Sequence, residues 1–163
     1  MRTRLTARLS VLVAVVSIAA GCAAGTGTPL PPPPSLQLRL VTSSTAGPCS
    51  APALTSDGAG TACDRAGTTT YEVGKSLGDV TPTAVQASGQ DVAVTFNKAD
   101  TSTLNDTTSA ALNKRLALLL NGKVLSAATV ADPVATSTVK LAFATASDAT
   151  QVADALSGTS PTT

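Results

Sequence analysis

RLALLLNGKVLSAATVADP, residues 115 to 133, carries the strongest local structural signal in the chain. Asn121-Gly122 separates two apolar runs, and a two-residue type I′ turn needs positive φ at both central positions, which Asn and Gly tolerate best. Such a loop pairs Leu120 with Lys123, Leu118 with Leu125 and Leu116 with Ala127 on one face, and Leu119 with Val124 and Ala117 with Ser126 on the other. The first face carries most of the leucine and is expected to lie under helices. Leu119 and Val124 then stand on the opposite face, where an antiparallel sheet covered on one side normally shows polar residues. We expect them to form a contact surface for an unfolded or extended polypeptide. The alternatives are two scattered surface apolars, or cover by the segment between Cys49 and Cys63.

Outward from the hairpin, the apolar periods continue. Leu36, Leu38 and Leu40 alternate with Gln37 and Arg39, which predicts a strand over 36–41. A short β-branched run, 69–73 (TTYEV), predicts another. Runs 80–87 and 91–97 flank Ser88-Gly89-Gln90 and read as a second hairpin, with Val92, Val94 and Phe96 on one face. A helix is expected over 100–113, capped by Asp100, with a long polar loop as the alternative because threonines lower helix propensity. Val139, Leu141 and Phe143 predict a late strand. A final helix to Leu156 is expected to start at Ser147 or Asp148. Strands and helices do not alternate, so the fold class is α+β: a mainly antiparallel sheet with about two helices packed on one face.

The N-terminal end reads as an address. Arg2, Arg4 and Arg8 precede an apolar run of about a dozen residues, short of the ~20 that a spanning helix needs, so residues 1–21 are expected to be a signal peptide. The run ends Ala19-Ala20-Gly21-Cys22, which resembles the lipobox of bacterial lipoproteins. That resemblance implies cleavage before Cys22 and a diacylglycerol thioether on its sulfur, the alternative being an ordinary secretory signal with Cys22 incidental. Residues 22–35 include Pro31 to Pro34 and are expected to be an extended tether between the lipidated cysteine and a domain. The domain is expected over 36–157, with a disordered tail over 158–163.

Composition narrows the function classes. Basic and acidic residues number 11 and 10, and three of the arginines fall in the leader. The remainder is mildly acidic, which argues against nucleic acid as a partner. There is no histidine, which removes the commonest general base, and the carboxylates are scattered without a close pair. Ser126 lacks the G-x-S-x-G turn, and Lys123 precedes it in the reverse of S-x-x-K order. On a regular hairpin these two side chains also point to opposite faces. No catalytic, cofactor-binding or metal-binding residue is therefore expected, and the chain is not expected to be an enzyme. With Cys22 acylated, Cys49 and Cys63 remain as a pair for an oxidising compartment. A disulfide between them closes a loop of about 15 residues, for which chain entropy gives about 3 kcal/mol. A metal site is the weaker alternative, since histidine and C-x-x-C are both missing.

Most of the chain from Leu36 to Leu156 resembles the head part of the first periplasmic domain of SecD, a subunit of the bacterial protein-export machinery. The likeness is strongest over Asn113 to Pro133 (NKRLALLLNGKVLSAATVADP), with further echoes in LQLRLV, in Tyr71 to Gly74 (YEVG), in the strand at Val92 to Phe96, and in the late strand with its helix. SecD also carries a bundle of membrane helices, and no segment after the leader is apolar enough over ~20 residues to match them. The resemblance therefore implies a fold and a polypeptide-interacting habit. The expected function is a non-catalytic interaction module of the cell envelope, anchored through its N-terminal lipid on the extracytoplasmic face of the cell membrane. Its expected partners are exported or envelope proteins. The competing expectation is a carrier of an apolar ligand such as a lipid, which a sizeable dry pocket would favour.

Overall fold

At Asn121 and Gly122 the backbone takes φ values of 50° and 73°, the left-handed pair that a type I′ turn demands. The structure, a computed structural model, describes residues 34–158. They form, in order, β1 (Leu36–Ala46), β2 (Gly60–Cys63), β3 (Thr69–Val80), β4 (Pro82–Ser88), β5 (Asp91–Phe96), α1 (Lys98–Ala110), β6 (Arg115–Leu120), β7 (Lys123–Thr129), β8 (Thr138–Ala142) and α2 (Ala146–Leu156). The fold is α+β with antiparallel pairing throughout the named strands.

The strands sort into two sheets, one of five in the order β2-β3-β1-β6-β7 and one of three in the order β4-β5-β8. The chain passes from one sheet to the other at Thr81-Pro82, where proline has no N–H to continue a ladder. The Thr81 N–H instead donates to the Asp100 carboxylate at 3.3 Å. β2 and β7 are the outer strands of the larger sheet, yet Asp64, just past β2, bridges Val124 in β7. The sheet thus curls until its two edges touch.

In the β6–β7 hairpin, Leu120 faces Lys123 and Leu119 faces Val124 as the turn requires, but beyond Leu119 the register slips by one: Leu118 lies opposite Ser126, Ala117 opposite Ala127 and Leu116 opposite Ala128. Leu125 is the extra residue of a β-bulge, which a regular ladder read from the turn does not anticipate. One consequence is that Ser126 moves to the same side as Lys123, against the expectation of opposite faces.

The helices begin one turn earlier than their carboxylates suggest. Asn97 caps α1, accepting from the Asp100 N–H at 2.9 Å and donating to the Asp100 carboxylate at 2.7 Å. Thr145 caps α2 in the same way, its hydroxyl accepting from the Asp148 N–H and donating to the Asp148 carboxylate. In both, the aspartate sits in the first turn, where its carboxylate accepts from the capping side chain and is favoured by the helix dipole. Threonine is accommodated in α1 because Thr108, which is buried, donates from its hydroxyl to the Leu104 carbonyl and accepts from the Val134 N–H at 2.9 Å. Asn113, at φ 60°, turns the chain out of this helix into β6.

Two apolar clusters hold the fold. The larger gathers Leu36 and Leu38 of β1, Leu116 and Leu120 of β6, Val92, Val94 and Phe96 of β5, Leu141 of β8, and the inner faces of both helices. The smaller lies on the other side of the five-stranded sheet, inside its curl, and consists of Ala62, Val73, Ala117, Leu119 and Val124. Each fully buried Leu or Val is worth about 1.5–3 kcal/mol, so both faces of the central hairpin contribute to stability.

Candidate functional site: an apolar cleft at a sheet edge

Leu119 and Val124 are 1% and 2% exposed, so the contact surface expected of them does not exist. Their cover is the segment closed by the Cys49–Cys63 disulfide, whose cysteines are 14 residues apart in sequence. Leu54 from that segment packs on the small cluster, and its N–H donates to the Gly122 carbonyl at 3.1 Å. Of the three placements open to these residues, cover by the bridged loop is the one adopted. Cys22 and the lipid anchor expected on it lie outside the described residues.

Arg39 holds the loop from beneath and was not singled out by sequence pattern. The bridged segment and the β1 strand bring it to full burial. Its guanidinium donates to the carbonyl oxygens of Ser56, Gly58 and Gly74, the last at 2.9 Å, and its Nε donates to the Gln37 side chain at 2.8 Å. Gln37 in turn donates to the Asp57 carboxylate at 3.1 Å. Burial pushes the Arg39 pKa down from its ordinary value, with the charges of Asp57 and Asp79 acting the other way. An arginine remains charged under such a shift, so it works as a permanent multi-point donor. The only sequence signal was a charged residue flanked by leucines in a strand, which reads equally well as solvent-facing.

A second anchor closes the far end of the loop. Asp64 accepts from the Thr68 N–H and hydroxyl, both at 2.7 Å, and from the Thr69 N–H at 3.2 Å. Burial alone raises the pKa of its carboxyl, but the hydrogen bonds from Thr68 and Thr69 outweigh burial and hold it below the ordinary value.

The opening that remains lies on the other side of the sheet. Where the five-stranded and three-stranded sheets diverge, between the end of β7 with residues 130–134 and the strand β8, an apolar cleft of about 250 Å³ reaches the large cluster. Half-buried Leu118, Val130, Val134 and Val139 form its walls, with Phe96 and Leu104 deeper. Exposed Asp132 and Lys140 stand among its lining residues. A second hollow, of about 340 Å³, is lined by Asp64, Arg65, Phe143, Asp148 and Gln151 among others. Its two carboxylates are already committed to Thr68 and Thr145.

Among the described residues no group of three His, Cys, Asp or Glu side chains is placed to hold a metal ion. No helix among them is long and apolar enough to cross a membrane.

Comparison with known proteins agrees with this architecture. The profile of the SecDF P1 head subdomain matches residues 61–160. No curated protein sequence matches the chain. Among solved structures, one similar to it is SecDF, a membrane component that enhances protein export, with a TM-score of 0.55 and 15% identity over 78% of this chain and 64% of that one. SecDF in its super-membrane-facing form is similar to the same degree over 78% of this chain, with 19% of that longer chain covered. The chain thus spans less than two thirds of the SecDF structures it matches.

Proposed function

Because this chain belongs to the SecDF P1 head subdomain family, we propose that it is a non-catalytic polypeptide-interaction module of the cell envelope, held to the extracytoplasmic face of the membrane by a lipid on Cys22 and serving protein export. Its partners are exported or envelope proteins in extended states. The observation that carries this reading is the apolar cleft of about 250 Å³ beside an edge strand.

At this cleft, size bears on which of the two kinds of occupant fits. Pockets for drug-sized ligands run roughly 300–1,000 Å³ and enclose most of the ligand, whereas a cavity of about 150 Å³ already takes a benzene ring. A cleft of about 250 Å³ seats one or two apolar side chains and is small for a lipid tail. This favours a polypeptide segment over a carried lipid.

Two experiments test the proposal. Cys22→Ala should release the protein from membranes or stall its processing, and lipid labelling that persists in this variant defeats the anchor. Crosslinking in intact cells should recover proteins in transit. Ala128→Phe, which fills the cleft from an exposed lining position, should lower that yield several-fold. Equal yields from a folded Ala128→Phe protein would remove the cleft from the interaction.

A further inference from the structure

The strand β8 is the outer strand of its sheet, paired with β5 alone, and its ladder reveals which backbone groups remain unused. The Phe96 N–H donates to the Ser137 carbonyl and the Phe143 N–H donates to the Gln90 carbonyl. In an antiparallel pair such bonded positions recur every second residue, so Val139 and Leu141 also direct their N–H and C=O toward β5. Lys140 and Ala142 direct theirs away from it, along the free edge, while the Thr138 carbonyl is taken by the Thr136 hydroxyl at 3.0 Å. The same alternation sends the side chains of Val139 and Leu141 into the apolar cluster and leaves Lys140 and Ala142 exposed. Lys140 thus combines an open backbone edge beside the cleft with a cation that has no ion pair among the described residues and points to the face opposite Val139 and Leu141, while Asp132 is the one carboxylate among the cleft's lining residues.

The edge selects among occupants by charge. A second copy pairing antiparallel through β8, centred on Lys140, sets lysine directly opposite lysine, which disfavours the pair. An acidic residue at that position gains the opposite-charge pair instead. Its two neighbours, pointing to the other face, meet the cleft beside Val139 and Leu141. Resting on the polypeptide-binding reading above, we propose that β8 takes an extended segment of the pattern apolar–acidic–apolar as an added antiparallel strand, with the acidic residue opposite Lys140 and both flanking apolar side chains in the cleft. The main-chain bonds supply affinity that does not depend on sequence, and the cleft with Lys140 supplies the preference.

The test uses the mature chain from residue 22 and nine-residue peptides with a central Leu-Glu-Leu or Leu-Lys-Leu, measured by fluorescence anisotropy. The Glu peptide should bind about five-fold more tightly than the Lys peptide, and Lys140→Glu, at an exposed position, should reverse the order. N-methylation of the central Glu should abolish binding, whereas N-methylation of the leucine on either side should be tolerated, because only alternate N–H groups face the edge. Several outcomes overturn strand addition. One is binding of both peptides that is lost in Ala128→Phe but indifferent to Lys140→Glu and to the methylated position. Another is β8-mediated dimerisation of the chain that excludes both peptides. If no extended peptide binds at all, the polypeptide-binding reading falls with it.

Discussion

Gly122→Ala separates the two demands that the central turn places on one residue. The position has φ +73°, and a Cβ built there would stand 2.5 Å from the Leu54 carbonyl oxygen and 2.9 Å from the Ala53 carbonyl carbon. Holding alanine in the left-handed region costs about 1–2 kcal/mol. Moving the loop backbone aside costs the Leu54–Gly122 hydrogen bond, about 1 kcal/mol, and part of the cover over Leu119 and Val124, about another 1 kcal/mol on the area scale. The sum is about 3–4 kcal/mol. Gly89→Ala is the matched control, since Gly89 has φ +60° and nothing within 4 Å of its Cβ position, so only the conformational part, about 1–2 kcal/mol, remains. Urea unfolding followed by far-ultraviolet circular dichroism reads the gap. At an m-value of about 2 kcal/mol/M, a further 2 kcal/mol lowers the midpoint by about 1 M. Because the close atoms are Leu54 backbone, adding Leu54→Ala should not restore stability. Equal midpoints for Gly122→Ala and Gly89→Ala would show that the bridged loop does not bear on the turn, and the account of the small cluster would be wrong.

Three other perturbations probe the same framework. Leu119→Ser with Val124→Ser should unfold the protein or lower its stability by about 4 kcal/mol or more, since both side chains are buried; a thermal midpoint within a few degrees of the parent would contradict their burial. Arg39→Met keeps the aliphatic stem but leaves the Ser56, Gly58 and Gly74 carbonyls without their donor, at about 2–4 kcal/mol. Limited proteolysis should then cut between 50 and 59, and an uncut loop at unchanged stability counts against the clamp. The Asp64 pKa is depressed in the folded protein, so its contribution is present above the unfolded carboxylate value of about 3.9 and is lost as pH falls through the lower folded value. Asp64→Asn should flatten the thermal midpoint against pH below about 4, and an acid limb identical to the parent's would sink that assignment.

Local signals were enough for most elements because each depends on neighbouring residues alone. The Asn121-Gly122 turn, the alternation of Leu36, Leu38 and Leu40, the strand through Val92, Val94 and Phe96, and both helices follow from φ preference and periodicity, and the structure contains all of them. An aspartate near a helix start suits the first turn as well as the cap, so sequence pattern alone puts the caps two or three residues late, and only the Asn97 and Thr145 hydrogen bonds decide between the two positions. β2 falls in the Cys49–Cys63 region, which has almost no apolar period; it becomes a strand by pairing with β3.

The turn, the faces of β1, β5 and β6, the α+β class and the availability of two cysteines for a bridge were legible from residues close together in the chain. Which cover each face would receive depended on contacts between distant segments. Leu119 and Val124 read as exposed because the helices were assigned to the other face, and the curl of the sheet with the Arg39-anchored loop then buried them. The bulge at Leu125 likewise leaves no mark in the local pattern of the sequence. The cleft, too, is a property of the tertiary arrangement: it exists because two sheets that share the strand-to-strand passage at Thr81 diverge at β7 and β8, and no periodicity along a single strand encodes the distance between two sheet edges.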